Sequence, residues 1–190
     1  KEERAKREIE ILLPQLERVS QELREKGFPL KKDCRIDIEQ FEDVFPKKDL
    51  KRDKCAVEKL EQKFSEKHHI GELLEITKTI AFNKLFFENK LICVRTSRFD
   101  DYFNGIDQLI LDPQTSRVLA CLDTTEDLNR KLQDKKILSK IKNGGQVRYG
   151  VYLLEGKIKK GQLNDLPFFI IALSEEETFK LVEAIKKPQH

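Results

Sequence analysis

Apolar and polar residues follow a helical pattern in the first half of the chain. Over residues 1–26, apolar side chains recur every three or four positions among Lys, Arg and Glu, which predicts an amphipathic helix. Pro14 interrupts the pattern, so either this helix bends there or two helices meet. The same spacing predicts helices over residues 50–67 and 71–89, and the latter has a broad apolar face with Glu75 at its edge.

The rest of the chain has the pattern of a mixed sheet with two further helices. The predicted strands are 91–94, 106–111, 117–123, 147–154 and 167–173, and the predicted helices are 126–142 and 175–187. From residue 71 onward the order is α-β-β-β-α-β-β-α. We expect an α/β fold with a mixed central β-sheet flanked by helices. An α-helical N-terminal extension (1–49) would precede the α/β domain (50–190).

The amino-acid composition says more about where the protein is located than about what it does. The 37 basic and 34 acidic side chains leave a formal net charge of only +3, so any contact with nucleic acid has to come from local patches. The four cysteines form no C-x-x-C pair, which favours reduced thiols in a cytoplasmic protein. No apolar run is long enough for a membrane-spanning helix, so we expect no membrane partner.

Two aspartates lie on neighbouring predicted strands. If Leu111 faces Arg117 across the connecting loop, Asp107 faces Cys121, and Asp107 and Asp123 share one face of the sheet as diagonal neighbours. A register that differs by one residue would put the two carboxylates on opposite faces.

Carboxylates that converge in this way suit a hard divalent cation. Mg²⁺ prefers oxygen ligands and is commonly held by one or two carboxylates, and the helical Glu75 would be a third. Such an ion lowers the pKa of bound water and offsets charge on a phosphoryl group under attack. The alternatives are that Asp107 and Asp123 cap turns at strand ends, or that they form an inactive site kept for binding.

Three short stretches then carry a resemblance to a known family. GELLE at 71–75, NGID at 104–107 and LACLD at 119–123, each at the corresponding predicted element, resemble the PD-(D/E)XK nuclease-like superfamily over residues 71–154. The RTSRFDDYFNGID stretch is also similar to uncharacterised bacterial proteins.

The resemblance implies a restriction-endonuclease-like core and an Mg²⁺- or Mn²⁺-dependent nuclease. Its catalytic metal ligands would be Glu75, Asp107 and Asp123. The family's lysine, two residues beyond the second acid, is Thr125 here. If the tripeptide is placed on residues 121–123 instead, the acid becomes Cys and the lysine becomes Asp, so both placements lose the lysine.

Other basic residues would have to take over the functions of that lysine and bind the substrate. Arg95, Arg148 and Lys84 lie on segments expected to border the site. The candidates for phosphate contact with DNA or RNA are Lys135, Lys136, Lys140, Lys142 and Arg148. Their alternative interpretation is a solvated helix face. The alternative for the whole chain is an inactive scaffold whose N-terminal helices bind a protein partner or a second copy.

Overall fold

The structure is a computed structural model that describes residues 1–63, 69–86, 90–115 and 117–187. The helices in these ranges are α1 (Glu2–Glu25), α2 (Lys47–Lys63), α3 (His69–Ala81), α4 (Leu128–Lys131), α5 (Lys135–Asn143) and α6 (Glu175–Lys186). The strands are β1 (Ile92–Arg95), β2 (Gln108–Asp112), β3 (Arg117–Thr125), β4 (Gly145–Leu154), β5 (Lys157–Leu166) and β6 (Phe168–Ala172). The predicted helix ends at residues 67 and 89 lie outside the described residues.

The central sheet has four strands in the order β1-β2-β3-β6. The first three pair in antiparallel fashion, and β6 lies parallel beside β3. Helix α3 packs against β1 and β3, and α5 packs against β6. These contacts confirm the α/β fold with a mixed sheet flanked by helices and an N-terminal helix.

The N-terminal helix is one continuous element that passes through Pro14. Its buried stripe includes Leu12, Leu16 and Val19, and it packs against α3. One buried apolar cluster contains residues of α1, α3 and the central sheet together. The domain boundary drawn at residue 49 stays a prediction, and the apolar core draws on both sides of it.

A second sheet, not expected from the sequence, consists of β4 and β5 alone. Leu154 pairs with Lys157 across a two-residue turn. Both turn residues have positive φ, 51° at Glu155 and 71° at Gly156, the combination found in type I′ hairpin turns. The polar strand β5 therefore forms through a local hairpin rather than as part of the central sheet.

The helix predicted over residues 126–142 is wrong as a single element. It is divided into α4 and α5, and each has its own N-cap: the Asp127 side chain accepts the Arg130 N–H, and the Asp134 side chain accepts the Lys136 N–H. Aspartate caps favour new helix starts because they satisfy free backbone donors.

Within the part of the chain that the structure describes, no helix has the length and apolar character needed to cross a bilayer.

Candidate metal centre

Three carboxylates converge where α3, the π-helical turn Asp100–Asn104 and the start of β2 meet. One oxygen from each of Glu75, Asp101 and Asp107 lies within 4.8 Å of the other two. The predicted pair Glu75 and Asp107 is thus brought together. The third member of the group is Asp101, which was not among the ligands expected from the sequence.

Polar contacts between α3 and β2 hold Glu75 in this position. Gln108, the first residue of β2, donates through Nε2 to Thr79 Oγ1 at 2.7 Å and to the Glu75 carbonyl oxygen at 3.1 Å. Thr79 lies one helical turn after Glu75, so Glu75 and the residue that binds Gln108 are on the same face of α3. Asp107 is adjacent in sequence to Gln108 and is therefore placed beside Glu75.

Asp107 is a buried carboxylate without a hydrogen bond to any described residue. Its side chain is almost wholly enclosed, with 7 % of the residue exposed. Burial, followed by the negative charges of Glu75, Asp101 and Asp123, raises the pKa of Asp107 from 3.8 to about 8, although Lys78 opposes the shift. Without a cation, this carboxyl group is therefore mostly protonated near neutral pH.

Glu75 is held by two buried arginines. Arg35 Nη2 lies 2.6 Å from Glu75 Oε2, and Arg95 Nη2 lies 2.8 Å from the same oxygen. Burial acts to raise the pKa of Glu75, but the two guanidinium groups outweigh it and lower the pKa. Since both arginines use Oε2, no described residue forms a hydrogen bond with Oε1, which stays free to bind a cation.

Asp101 completes the group from the turn that follows β1. Its Oδ2 lies 3.2 Å from Arg35 Nη1 and 3.4 Å from Arg98 Nη1. Burial, then the charge of Glu75, raises the pKa of Asp101 to about 6. The neighbouring Asp100 is purely structural in this arrangement, because it accepts the backbone N–H groups of Arg148 and Tyr149.

Asp123, the predicted second acid, lies outside this group. Its two carboxylate oxygens lie 2.9 and 2.8 Å from Lys131 Nζ, and Oδ1 also accepts the Thr124 N–H at 2.7 Å. Asp123 is still close enough for its charge to raise the pKa of Asp107. The lysine from α4 thus forms an ion pair with the carboxylate that the sequence assigned to metal, although the buried Oδ2 atom has no hydrogen-bond partner among the described residues.

The hairpin register explains why Asp107 and Asp123 remain neighbours. Of the registers considered, the pairing of Leu111 with Arg117 is not found, because Asp112 pairs with Arg117. An irregularity between residues 110 and 111 then shifts the register by one more residue, so that Leu109 pairs with Cys121. Two single-residue shifts preserve the alternation of side chains. Asp107 and Asp123 each lie two residues beyond this pair, at the same end of the hairpin.

A buried lysine that sequence reasoning missed borders the acids. Lys78 lies on α3 three residues after Glu75 and is only 2 % exposed. Its ammonium donates to the hydroxyl of Thr124. Burial lowers the pKa of Lys78, while the charges of Asp107, Glu75 and Asp123 act to raise it. The available signal was a lysine within the apolar face of α3, one turn from a candidate ligand.

The sequence offered three basic residues that could replace the family's missing lysine, and their surroundings in the structure differ. Arg95 does border the acids but is fully buried and bonded to Glu72 and Glu75. Arg148 pairs with Asp53 at 2.7 Å. Lys84 lies in the π-helical turn that follows α3.

The predicted phosphate contacts form two groups rather than one patch. Lys135, Lys136 and Lys142 are exposed on α5, whereas Lys140 donates to the Gly105 carbonyl oxygen at 3.1 Å. Burial lowers the pKa of Lys140, although the charges of Asp123 and Asp107 oppose this shift. Lys140 therefore reaches the edge of the acid site. Arg148 is engaged elsewhere, with its guanidinium 4.7 Å from the Phe45 ring centroid.

Comparisons with known proteins leave the site to be interpreted from its own geometry. No protein-family model, no curated protein and no solved structure matches this chain.

Proposed function

We propose that the chain is a divalent-metal-dependent nuclease-like domain that hydrolyses phosphodiesters of DNA or RNA. The observation that carries the proposal is the convergence of Glu75, Asp101 and Asp107 within 4.8 Å, next to the buried ammonium of Lys78. The order α3-β1-β2-β3-β6, with β6 parallel beside β3, supports a restriction-endonuclease-like core. The proposed location is the cytoplasm, which suits four free thiols.

The donor set fits Mg²⁺ or Mn²⁺. Carboxylate oxygens are the ligands these ions prefer, and Glu75 Oε1 and the Asp107 carboxylate have no hydrogen-bond donor among the described residues. Glu75 and Asp101 are already paired with arginines, whereas Asp107, with its pKa raised to about 8, needs a proton or a cation beside it. A bound ion would lower the pKa of a coordinated water and offset charge on the phosphoryl group.

Lys78 supplies the cation that the Thr125 position lacks. It approaches the end of β3 from α3, where its ammonium bonds the hydroxyl of Thr124, the residue before Thr125. Because burial lowers its pKa, the ammonium loses its proton more readily, and the neutral amine form of Nζ would then orient a water and accept its proton. This role was expected of a lysine on β3 and comes instead from a helix packed against the strand.

Asp123 is not needed as a metal ligand in this proposal. Its carboxylate is ion-paired with Lys131, and that lysine would compete with an ion for it. In its observed position, Asp123 adds negative charge close to Asp107 and Lys78. The exposed lysines of α5 would contact phosphates, and Lys140 would do so next to the acids.

Calorimetric titration with Mn²⁺ and Mg²⁺ tests the metal site directly. We expect one site per chain in the wild type, loss of binding in Asp107→Ala, and unchanged binding in Glu126→Gln, which replaces an exposed acid outside the group. Absence of binding by the wild type would overturn the proposal.

Cleavage assays on single-stranded DNA, duplex DNA and RNA then test the chemistry. Lys78→Met should keep its metal affinity and lose cleavage by about 100-fold or more, in line with general acid–base groups. Equal cleavage by Lys78→Met and the wild type would remove the lysine from the mechanism but leave the metal site in place.

A second candidate is an inactive scaffold that binds a protein partner or a second copy. It is favoured by the ion pairs of Glu75 and Asp101 with Arg35, which give those two acids a structural role without any metal. Ile11 and Leu13 of α1 are 52 % and 41 % exposed and would belong to the contact surface. Light scattering of the full chain over a range of concentrations tests it, since a monomer throughout would contradict self-association.

A further inference from the structure

A small cavity lies on the far side of two arginines that hold the acids. It has a volume of about 170 Å³ and is bounded by the segment 31–39, by α2 and by Arg98–Phe99. Arg35 and Arg98 line the cavity and also contact Asp101 at 3.2 and 3.4 Å. The cavity and the acid site therefore share two side chains.

The lining combines apolar walls with charged side chains of both signs, several of which are paired with one another. Ile36, Ile38, Val57 and Phe99 supply the apolar part. At the rim, Lys54 pairs with Glu39 at 2.6 Å. A lining of this kind suits a flat, neutral ligand with a polar edge rather than a free anion.

Arg35, which lines the cavity, has one buried N–H donor without a hydrogen-bond partner among the described residues. The residue is 2 % exposed, and its Nη1 and Nη2 atoms are bonded to Thr96 O at 3.3 Å and Glu75 Oε2 at 2.6 Å. Its Nε has no hydrogen-bond partner among the described residues, and Asp33 Oδ2 is 3.7 Å away. A buried N–H group without a partner is destabilising, so an acceptor atom on a ligand would be favoured at Nε if the Arg35 side chain turned toward the cavity.

An aromatic path connects the cavity wall with the surface. The Phe99 and Phe103 ring centroids are 4.7 Å apart, with the planes tilted by 30°. Phe103 is 48 % exposed, and its neighbour Tyr102 is 39 % exposed. Exposed rings beside cationic groups are the stacking surfaces on which proteins hold unpaired bases.

We infer that this cavity binds one unpaired nucleobase of the strand whose phosphodiester lies at the acid site. The inference rests on the proposed nuclease function and specifies its substrate. A cavity of about 170 Å³ is smaller than the roughly 300–1,000 Å³ that takes drug-sized ligands, and it has room for a single base but not for a base pair. The substrate is therefore single-stranded, or is locally opened so that a base leaves the stack.

Metal-free binding by the full chain tests this inference apart from catalysis. With EDTA present, a fluorescent single-stranded oligonucleotide and its duplex are titrated with wild type, Val57→Phe and Phe99→Leu. Val57→Phe fills the cavity, and Phe99→Leu removes the stacking ring. Leu154→Phe is the matched control, because it adds a ring at the exposed β4–β5 turn. Thermal melting checks that each variant is folded.

We expect both cavity variants to bind the single strand about tenfold more weakly, the effect of losing one stacked base, with duplex binding and the control unchanged. Unchanged single-strand binding in the folded variants would overturn the inference. The inference would also be overturned if Val57→Phe, with metal present, cleaved both the single strand and the duplex as well as the wild type does. The nuclease function would then stand. Cavity-dependent binding without any cleavage by the wild type would support the inference as a binding site and count against the nuclease function.

Discussion

Replacing Asp107 by Asn should make the metal-free protein more stable. The folded state raises the pKa of Asp107 from 3.8 to about 8, so the folded protein keeps a proton that the unfolded chain releases. Stability from this group is present at low pH and is lost as the pH rises from about 4 to about 8, at ~1.4 kcal/mol per pH unit. Asn keeps the shape and has no proton to lose.

The upper limit of this gain at about pH 7 is ~4 kcal/mol. Local relaxation and the entry of water reduce it, and we expect about 1–2 kcal/mol. The gain should be near zero at about pH 4 and increase with pH, because the wild type alone bears the growing cost of ionisation.

Urea unfolding at a series of pH values, with EDTA present, measures this effect. Asp107→Asn should show a stability that is less dependent on pH than that of the wild type. The exposed-acid variant Glu126→Gln should follow the wild type. Added Mg²⁺ should stabilise the wild type and not Asp107→Asn, since the ion needs the carboxylate. The reasoning is refuted if Asp107→Asn is less stable than the wild type throughout the metal-free series.

Three further substitutions test other parts of the structure. Arg95→Ala leaves Glu72 and Glu75 short of a counter-charge. It should lower the free energy of unfolding, measured with urea, by about 3–5 kcal/mol. A loss below ~1 kcal/mol would mean that water already screens the charges of this network. Gly156→Ala places a side chain at φ 71° and should cost about 1 kcal/mol, seen as a lower melting temperature. Ser174→Ala removes the capping box of α6 and should cost about 1 kcal/mol, which Ser174→Asp should largely restore; equal melting temperatures for Ser174→Ala and wild type would contradict the role of the cap.

The sequence pattern predicted the four strands of the central sheet because they are strongly apolar, but it wrongly placed residues 147–154, which form β4 of the second sheet, among them. The runs around Cys93, Ile110 and Cys121 are buried in the structure, and apolar runs of this length indicate buried strands. The strand β5 escaped prediction because its sequence, KIKKGQLNDL, is mostly exposed and has no apolar run. The Glu155-Gly156 pair was the only local indication of the hairpin.

The acid site was predictable only in part, because adjacent aspartates look alike in a sequence. Asp100 accepts backbone N–H groups of β4, whereas Asp101 points to Arg35 and Arg98. Which of the two faces Asp107 depends on the π-helical turn, and no periodicity shows such a turn. Lys78 was missed for a related reason, since a lysine on a helix is usually solvated.

The helix predicted after β3 failed at residues 132–134 for a local reason. Its composition is helical, but the Asp134 side chain accepts the Lys136 N–H and starts α5 anew. Aspartate competes with the helix for backbone donors, so a continuous apolar spacing gave too long a helix. The same competition places the first cap at Asp127, whose side chain accepts the Arg130 N–H.

The parallel bridge between Arg35 and Arg95 limits how this protein can diverge. Through it, a segment ahead of α2 provides one of the two guanidinium groups on a single oxygen of Glu75. A descendant whose first forty residues came from another gene would keep the buried Glu75 but would lose the counter-charge of Arg35. We therefore expect such an exchange to destabilise the protein unless the new segment also supplies a buried cation.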